Sequence, residues 1–229
     1  MELAGSVVLV TGANGGLGRE FVNQALERGA TKVYAAARRP DSWSDERVVA
    51  LRLDVTDAAS ISAAAEAAAD VTVLVNNAGI TGAGSLLASP IEEIRETFET
   101  NLFGPLELTR AFAPGLEGGA VVDVHSALSW IAIPGAYSVT KAAFWGLTNS
   151  LRVELAGQST QVLGAHLGYT DTPMTAGLDV PKADPADIVA RIYDALEAGQ
   201  DEALADETSL AVRAGLSNNT IGAFGAPAA

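Results

Sequence analysis

Short apolar runs alternate with amphipathic stretches along almost the whole chain. Ser6-Val7-Val8-Leu9-Val10-Thr11 is rich in β-branched residues, too short for a helix and closed by glycine, so it predicts a buried strand. The period then changes: Phe21, Val22, Ala25 and Leu26 recur at helical spacing until Gly29, a residue suited to ending a helix. Read in this way, strands are predicted near 7–11, 32–37, 48–53, 71–76, 120–125, 160–167 and 202–205. Helices fill the gaps near 16–29, 58–69, 91–113, 137–156 and 186–198, with Asp57 and Pro90 at positions that favour helix starts. The alternation predicts an α/β fold, a doubly wound parallel sheet of about seven strands with helices on both faces. Residues 1–216 are expected to form one domain. The Gly-, Asn-, Ala- and Pro-rich stretch 217–229 has no apolar period and is expected to be a mobile tail.

Composition narrows the function. A chain of 229 residues, 48% hydrophobic, suits one α/β domain with a substantial core. The absence of cysteine excludes disulfides, thiolate metal sites and cysteine nucleophiles, and with His125 and His166 alone no metal site is expected. A formal charge of −14 opposes binding to nucleic acid or an anionic membrane. No apolar stretch is long enough for a bilayer and no basic, apolar leader follows Met1, so a cytoplasmic protein is expected. Any bound phosphate must be held by local geometry.

Such geometry stands directly after the first strand, in Gly12-Ala13-Asn14-Gly15-Gly16-Leu17-Gly18. Glycines let a backbone turn tightly and approach a pyrophosphate, while the N–H groups and dipole of the following helix attract its charge. Farther on, Tyr137 and Lys141 stand four apart on a predicted helix and address one small volume. An adjacent ammonium favours the phenolate, which makes a tyrosine usable as a proton donor or acceptor. Ser126 follows the apolar run Ala120–His125 and should emerge at the C-terminal edge of the sheet, where it can polarise a carbonyl. His125, its neighbour on the strand, points to the opposite face and reads as structural, as does His166.

On these residues the chain resembles the short-chain dehydrogenase/reductase family, of the short single-domain kind. Thr11-Gly12-Ala13-Asn14-Gly15-Gly16-Leu17-Gly18 fits the family's phosphate loop and Asn76-Asn77-Ala78-Gly79 its motif after the fourth strand. Asn101, Ser126, Tyr137 and Lys141 fall in order as its catalytic tetrad, and the resemblance runs over nearly the whole chain. It implies a Rossmann fold and a nicotinamide cofactor. Gly12, Asn14, Gly16, Leu17 and Gly18 would hold the pyrophosphate side; Asp54 and Val55 the adenine; Asn77, Ala78 and Gly79 the adenosine ribose and the floor of the site. Thr172 would meet the nicotinamide carboxamide, Lys141 and Tyr137 the nicotinamide ribose, and Asn101 would hold a water that relays protons to the lysine. The lesser alternative for Asp54 is the residue that starts the next helix. Two departures stand out: Leu167-Gly168 replaces the usual Pro-Gly, and the eleven-residue interval from Ser126 to Tyr137 is shorter than usual.

The second strand ends Ala35-Ala36-Ala37-Arg38-Arg39, with no acidic residue to bind ribose hydroxyls. Arg38 offers a guanidinium to a 2′-phosphate, so NADP(H) is expected over NAD(H); Asn14 can add a hydrogen bond to the same phosphate, and Arg19 is expected to face solvent. Trp130, Ile131, Ile133, Tyr169, Met174 and Leu178 are expected to wall the substrate site, with 174–183 as a lid. No Arg or Lys stands between Ala127 and Pro134, and Lys182 is the lid's only cation, so a neutral ketone or aldehyde is favoured. Surplus apolar residues on the third helix and on 137–156, Phe144, Trp145 and Leu147 among them, fit either a homodimer or homotetramer interface or the core of one subunit. The reading is thus an NADPH-dependent carbonyl reductase or alcohol dehydrogenase. A redox-neutral epimerase or dehydratase, or a non-enzymatic NADPH sensor, would use the same scaffold.

Overall fold

Seven strands form one wholly parallel sheet in the computed structural model, which describes residues 1–216. The stretch 217–229, expected as a mobile tail, lies outside the described residues. The strands are β1 Val7–Thr11, β2 Lys32–Ala37, β3 Val48–Arg52, β4 Val73–Asn76, β5 Ala120–Val124, β6 Gln161–His166 and β7 Glu202–Leu204. Their order is β3-β2-β1-β4-β5-β6-β7, the doubly wound Rossmann arrangement, with the direction of winding reversing between β1 and β4. Ligands of such sheets bind outside the strand C-termini at that reversal.

Strand periodicity divides the core in two. Val8 and Val10 of β1, Val73 and Val75 of β4, and Val122 and Val124 of β5 point into one layer. Helices α1 (Leu17–Glu27) and α6 (Pro185–Glu197) cover it. Leu9, Leu74 and Val121 point the other way, under α2 (Ala58–Ala67), α4 (Gly104–Phe112) and α5 (Ala136–Leu155). Both sheet faces are therefore dry, which explains continuous apolar runs in place of polar–apolar alternation.

In the first layer Tyr193 of α6 is wholly buried edge-on to Phe21, with ring centroids 5.4 Å apart, and its hydroxyl donates to the Phe21 carbonyl at 2.9 Å. Tyr193→Phe is expected to keep the fold but cost about 1–2 kcal/mol by deleting one buried hydrogen bond. Urea unfolding checks this, and an unchanged midpoint would show that the bond contributes nothing. Arg28, just past α1, ties the same two helices together through Asp194 at 2.7 Å and Glu197 at 2.6 Å.

Two elements depart from the sequence expectation. The helix predicted over 91–113 is α3 (Ile91–Phe98), then a wider turn over Glu99–Phe103 with i to i+5 hydrogen bonding, then α4. An additional helix, α7 (Glu207–Gly215), follows β7 and starts with a reciprocal cap between Asp206 and Ser209. Its apolar signal is short, with Leu210 half-exposed and Val212 buried, so periodicity does not reveal it. No helix among the described residues is long and apolar enough to cross a membrane.

Candidate active site

The loop after β1 is built around glycine for three separable reasons. Gly12 and Gly16 have φ of +67° and +54°, a region that side chains disfavour. Gly18 has no room: a Cβ there would overlap the Gly12 carbonyl and approach the Asn77 amide nitrogen to 2.9 Å. Gly16, which precedes α1, makes no side-chain cap, so the first-turn N–H groups of α1 are left for another acceptor. Gly12, Gly15, Gly16 and Leu17 line a cleft at the C-terminal edge of the sheet. A Cβ-free cradle ending on an uncapped helix N-terminus fits the pyrophosphate of a dinucleotide.

The end of β4 is bound to this loop. Thr11 Oγ1 accepts from the N–H groups of Asn77 at 3.0 Å and Ala78 at 2.9 Å, and Asn77 Nδ2 donates to the Thr11 carbonyl at 2.8 Å. Thr11 thus joins the two motifs, a structural task not assigned to it from sequence. Asn77, Ala78 and Gly79 line the cleft. Asn101 sits in the wide helical turn with its carboxamide fully used: Nδ2 donates to the Ile80 carbonyl at 2.9 Å and to Thr140 Oγ1 at 3.1 Å, and Oδ1 accepts from the Ile80 N–H at 2.9 Å. These long-range bonds fix the β4 loop against α5 beside Lys141.

Ser126, Tyr137 and Lys141 meet on the cleft's inner wall. Ser126 leaves β5 in extended conformation, and its hydroxyl accepts from the Leu128 N–H at 3.1 Å, which starts the short turn Ala127–Ser129. Tyr137 and Lys141 occupy one face of α5, the ammonium 5.7 Å from the phenol ring centre. Lys141 Nζ donates to the Val124 carbonyl at 2.7 Å. The expected fall in the tyrosine's ionisation does not appear: burial pushes the phenol up to about 12, opposed only by hydrogen bonding from Ser126. Burial likewise brings Lys141 down to about 8, countered by the charge of Asp123. His125 and His166 are buried and held neutral, chiefly by desolvation.

The cleft measures about 740 Å³. Ile133, Tyr169, Met174 and Leu178 stand on its outer wall, as expected from sequence. Trp130 does not. The turn after Ser126 carries it away from the cleft to stack on His166, with ring centroids 3.9 Å apart. Arg213 of α7 lies 5.1 Å above its ring, and Val212 and the partly buried Ile131 pack alongside. The unexpected α7 is the reason, since it gives the indole an apolar and cationic bed. Thr172 closes the cleft from the β6 side, where a Cβ on Gly16 would come within 3.1 Å of it. The loop carrying Met174 and Leu178 is pinned at its base, where Ala183 pairs with Thr170.

At the outer end of the site, parallel pairing of β2 with β3 brings Arg38 beside Asp54. Both lie beyond the cleft's lining residues. The Asp54 carboxylate is held below its usual range first by hydrogen bonds from Thr56, then by the charges of Arg38 and Arg52. Its oxygen accepts from the Thr56 N–H and hydroxyl, a local turn ahead of α2, whose cap is Asp57 accepting from the Ala59 N–H. Val55 turns inward under Gly104. The Asn14 carboxamide is engaged within the chain: Nδ2 donates to the Arg39 carbonyl at 2.7 Å and Oδ1 accepts from the Asp41 N–H at 3.2 Å. Arg19, expected in solvent, is half-exposed and lies 4.7 Å over Trp43.

Comparison with known proteins places this geometry in context. A family model described as short chain dehydrogenase matches residues 6–182. The chain is 32% identical over 193 residues to the 3-oxoacyl-(acyl-carrier-protein) reductase FabG of Vibrio harveyi, spanning 78% of this chain and 79% of that protein. It is 34% identical over 198 residues to the 2-(R)-hydroxypropyl-CoM dehydrogenase of Xanthobacter autotrophicus, spanning 77% and 79%. A crystal structure of a short chain dehydrogenase from Burkholderia cenocepacia in complex with NADP shares 37% identity over 95% of each chain, with a TM-score of 0.89.

Proposed function

This chain belongs to the short-chain dehydrogenase/reductase family, oxidoreductases acting on CH–OH and C=O groups, and on that footing we propose that it is an NADPH-dependent carbonyl reductase, able to run in reverse as an alcohol dehydrogenase, on a neutral, largely apolar ketone or aldehyde. The observation that carries the reading is the meeting of Ser126, Tyr137 and Lys141 on the inner wall of the cleft that the glycine loop and α1 enter.

The residues divide the work by atom. When bound, reduced nicotinamide supplies the hydride; the glycine loop, Asn77, Ala78, Gly79 and Thr172 hold the cofactor. Ser126 Oγ donates to the substrate carbonyl oxygen and orients it. Tyr137 Oη delivers the proton to that oxygen, and in the oxidative direction takes it back. Lys141 holds the nicotinamide ribose and presents its charge to the phenol, while Asn101 keeps the β4 loop and α5 in register for proton exchange at the lysine. Arg38, with no carboxylate at the end of β2, supports NADPH as the preferred coenzyme, as does the NADP in the Burkholderia relative. The apolar outer wall, and a Lys182 whose ammonium lies 4.0 Å from Asp171, support a neutral substrate. Phe103, Val139 and Val153, all exposed, support a homodimer or homotetramer.

A pH profile follows from the two perturbed groups. With Tyr137 at about 12, the proton donor stays loaded across the neutral and mildly alkaline range. With Lys141 at about 8, the ammonium is lost as pH rises through that value. For reduction, kcat/KM for NADPH should therefore be level at neutral pH and fall above about pH 8, because this quantity reports free-enzyme ionisations. A profile level to pH 10 or beyond would remove Lys141's charge from the mechanism. The coenzyme assignment is tested separately by kcat/KM for NADPH and NADH, with NADPH expected to be preferred by at least about tenfold for a guanidinium–phosphate contact.

A further inference from the structure

Three of the chain's 14 cationic side chains, Arg38, Arg39 and Arg52, stand at the C-terminal ends of β2 and β3, and a fourth, Arg19 of α1, reaches Asp41 in the connection between them, although the net charge is −14. Arg38 and Arg39 are exposed, and among the described residues neither guanidinium has a hydrogen bond or ion pair. Flexible, exposed arginines pay heavily in conformational entropy when they engage a ligand, so an anion site built on them gains from a backbone held beforehand.

That backbone is held from an unexpected direction. The segment Arg38-Arg39-Pro40-Asp41 receives no strand pairing beyond Ala37. The Asn14 carboxamide clasps it instead, its Nδ2 on the Arg39 carbonyl and its Oδ1 on the Asp41 N–H, so that Pro40 is straddled. Arg19, in the first turn of α1, closes the clasp from the far side. Its Nη1 lies 3.5 Å from the Asp41 carboxylate while its guanidinium covers Trp43 at 4.7 Å, and Trp43 in turn packs on the core. The glycine loop and the β2–β3 connection are thus tied to each other by side-chain contacts.

We infer that Asn14 and Arg19 are specificity-determining positioning residues, which hold the Arg38–Arg39 segment in place to receive the 2′-phosphate of the coenzyme without touching it themselves. The inference rests on the proposed NADPH reading. It differs from that reading in predicting that discrimination between coenzymes depends on residues of the β1–α1 side, outside the phosphate's contacts.

The experiment measures the dissociation constants of NADPH and NADH by coenzyme fluorescence, without substrate, in the wild type, Arg38→Ala, Asn14→Ala and Arg19→Gln, and compares the NADPH/NADH ratio of affinities with the ratio of kcat/KM on one neutral aryl ketone. Arg38→Ala should lose most of the NADPH preference. Asn14→Ala should lower the NADPH/NADH ratio by about tenfold, the scale expected for unfastening a pre-ordered contact segment, and Arg19→Gln should lower it in the same direction. Arg19→Gln keeps both Asn14 side-chain bonds, giving up only the 3.5 Å bond from Arg19 Nη1 to the Asn14 carbonyl, and supplies the result if Asn14→Ala does not fold. Equal losses with both coenzymes, or an unchanged ratio, would overturn the inference by reducing the clasp to a fold contact. If the wild type prefers NADH, or Arg38→Ala leaves the ratio unchanged, the NADPH reading itself fails. If Arg38→Ala abolishes the preference while the two clasp variants keep it, only the inference fails.

Discussion

Tyr137→Phe is expected to lower kcat for ketone reduction by about 10³-fold, the middle of the range for a positioned general acid, while NADPH affinity stays close to that of the wild type. The substitution removes one oxygen and keeps the ring, so the packing of the first turns of α5 is undisturbed. The phenol nonetheless keeps its proton throughout the neutral range, and the Lys141 ammonium beside it is turned to the Val124 carbonyl. Stopped-flow turnover with NADPH, together with a fluorescence titration of binding, separates the two effects. Retained turnover would remove Tyr137 from the chemistry, and lost binding would make it a cofactor residue alone.

Gly18→Ala should do the reverse. The new methyl group has no space, because the Gly12 carbonyl already occupies the position and the neighbouring Asn77 amide is itself bonded to the Thr11 carbonyl. Overpacking of this kind costs about 1–3 kcal/mol, and here it falls on the loop that presents the α1 N-terminus. The NADPH dissociation constant is therefore expected to rise by about 10- to 100-fold, with a lowered unfolding midpoint. Gly146→Ala, where an added methyl meets nothing within 4 Å, is the matched control. Binding as tight in Gly18→Ala as in the control would show that the close contact is not what the glycine provides.

These two positions also show how far the chain could be read before its structure. Strand–helix alternation was legible because both faces of the sheet are buried, which leaves unbroken apolar runs such as Val7–Val10. The glycine loop and the order Asn101, Ser126, Tyr137, Lys141 were legible because each belongs to a local motif whose spacing survives without tertiary knowledge. What escaped depends on long-range partners. Trp130 seemed a wall residue because it follows a strand end, yet its position is decided by His166 and by Arg213 on α7, 83 residues away. Asn14 looked like a phosphate ligand by its place in the loop, but its partners Arg39 and Asp41 lie across the βα unit. The ionisation of Tyr137 was misjudged in direction because helical spacing shows the nearby lysine and not the depth of burial.

The central claim is net hydride transfer from NADPH to a neutral carbonyl, and the most direct test follows the hydrogen itself. NADPH deuterated at both nicotinamide C4 positions is incubated with a panel of neutral aryl ketones, α-ketoesters and aldehydes, and the products are weighed by mass spectrometry while coenzyme oxidation is followed by absorbance. The account predicts one deuterium in each alcohol formed and one coenzyme oxidised per alcohol, both about 10³-fold slower with Tyr137→Phe. Product carrying no deuterium with no net loss of NADPH, or tight NADPH binding with no oxidation across the whole panel, would contradict it.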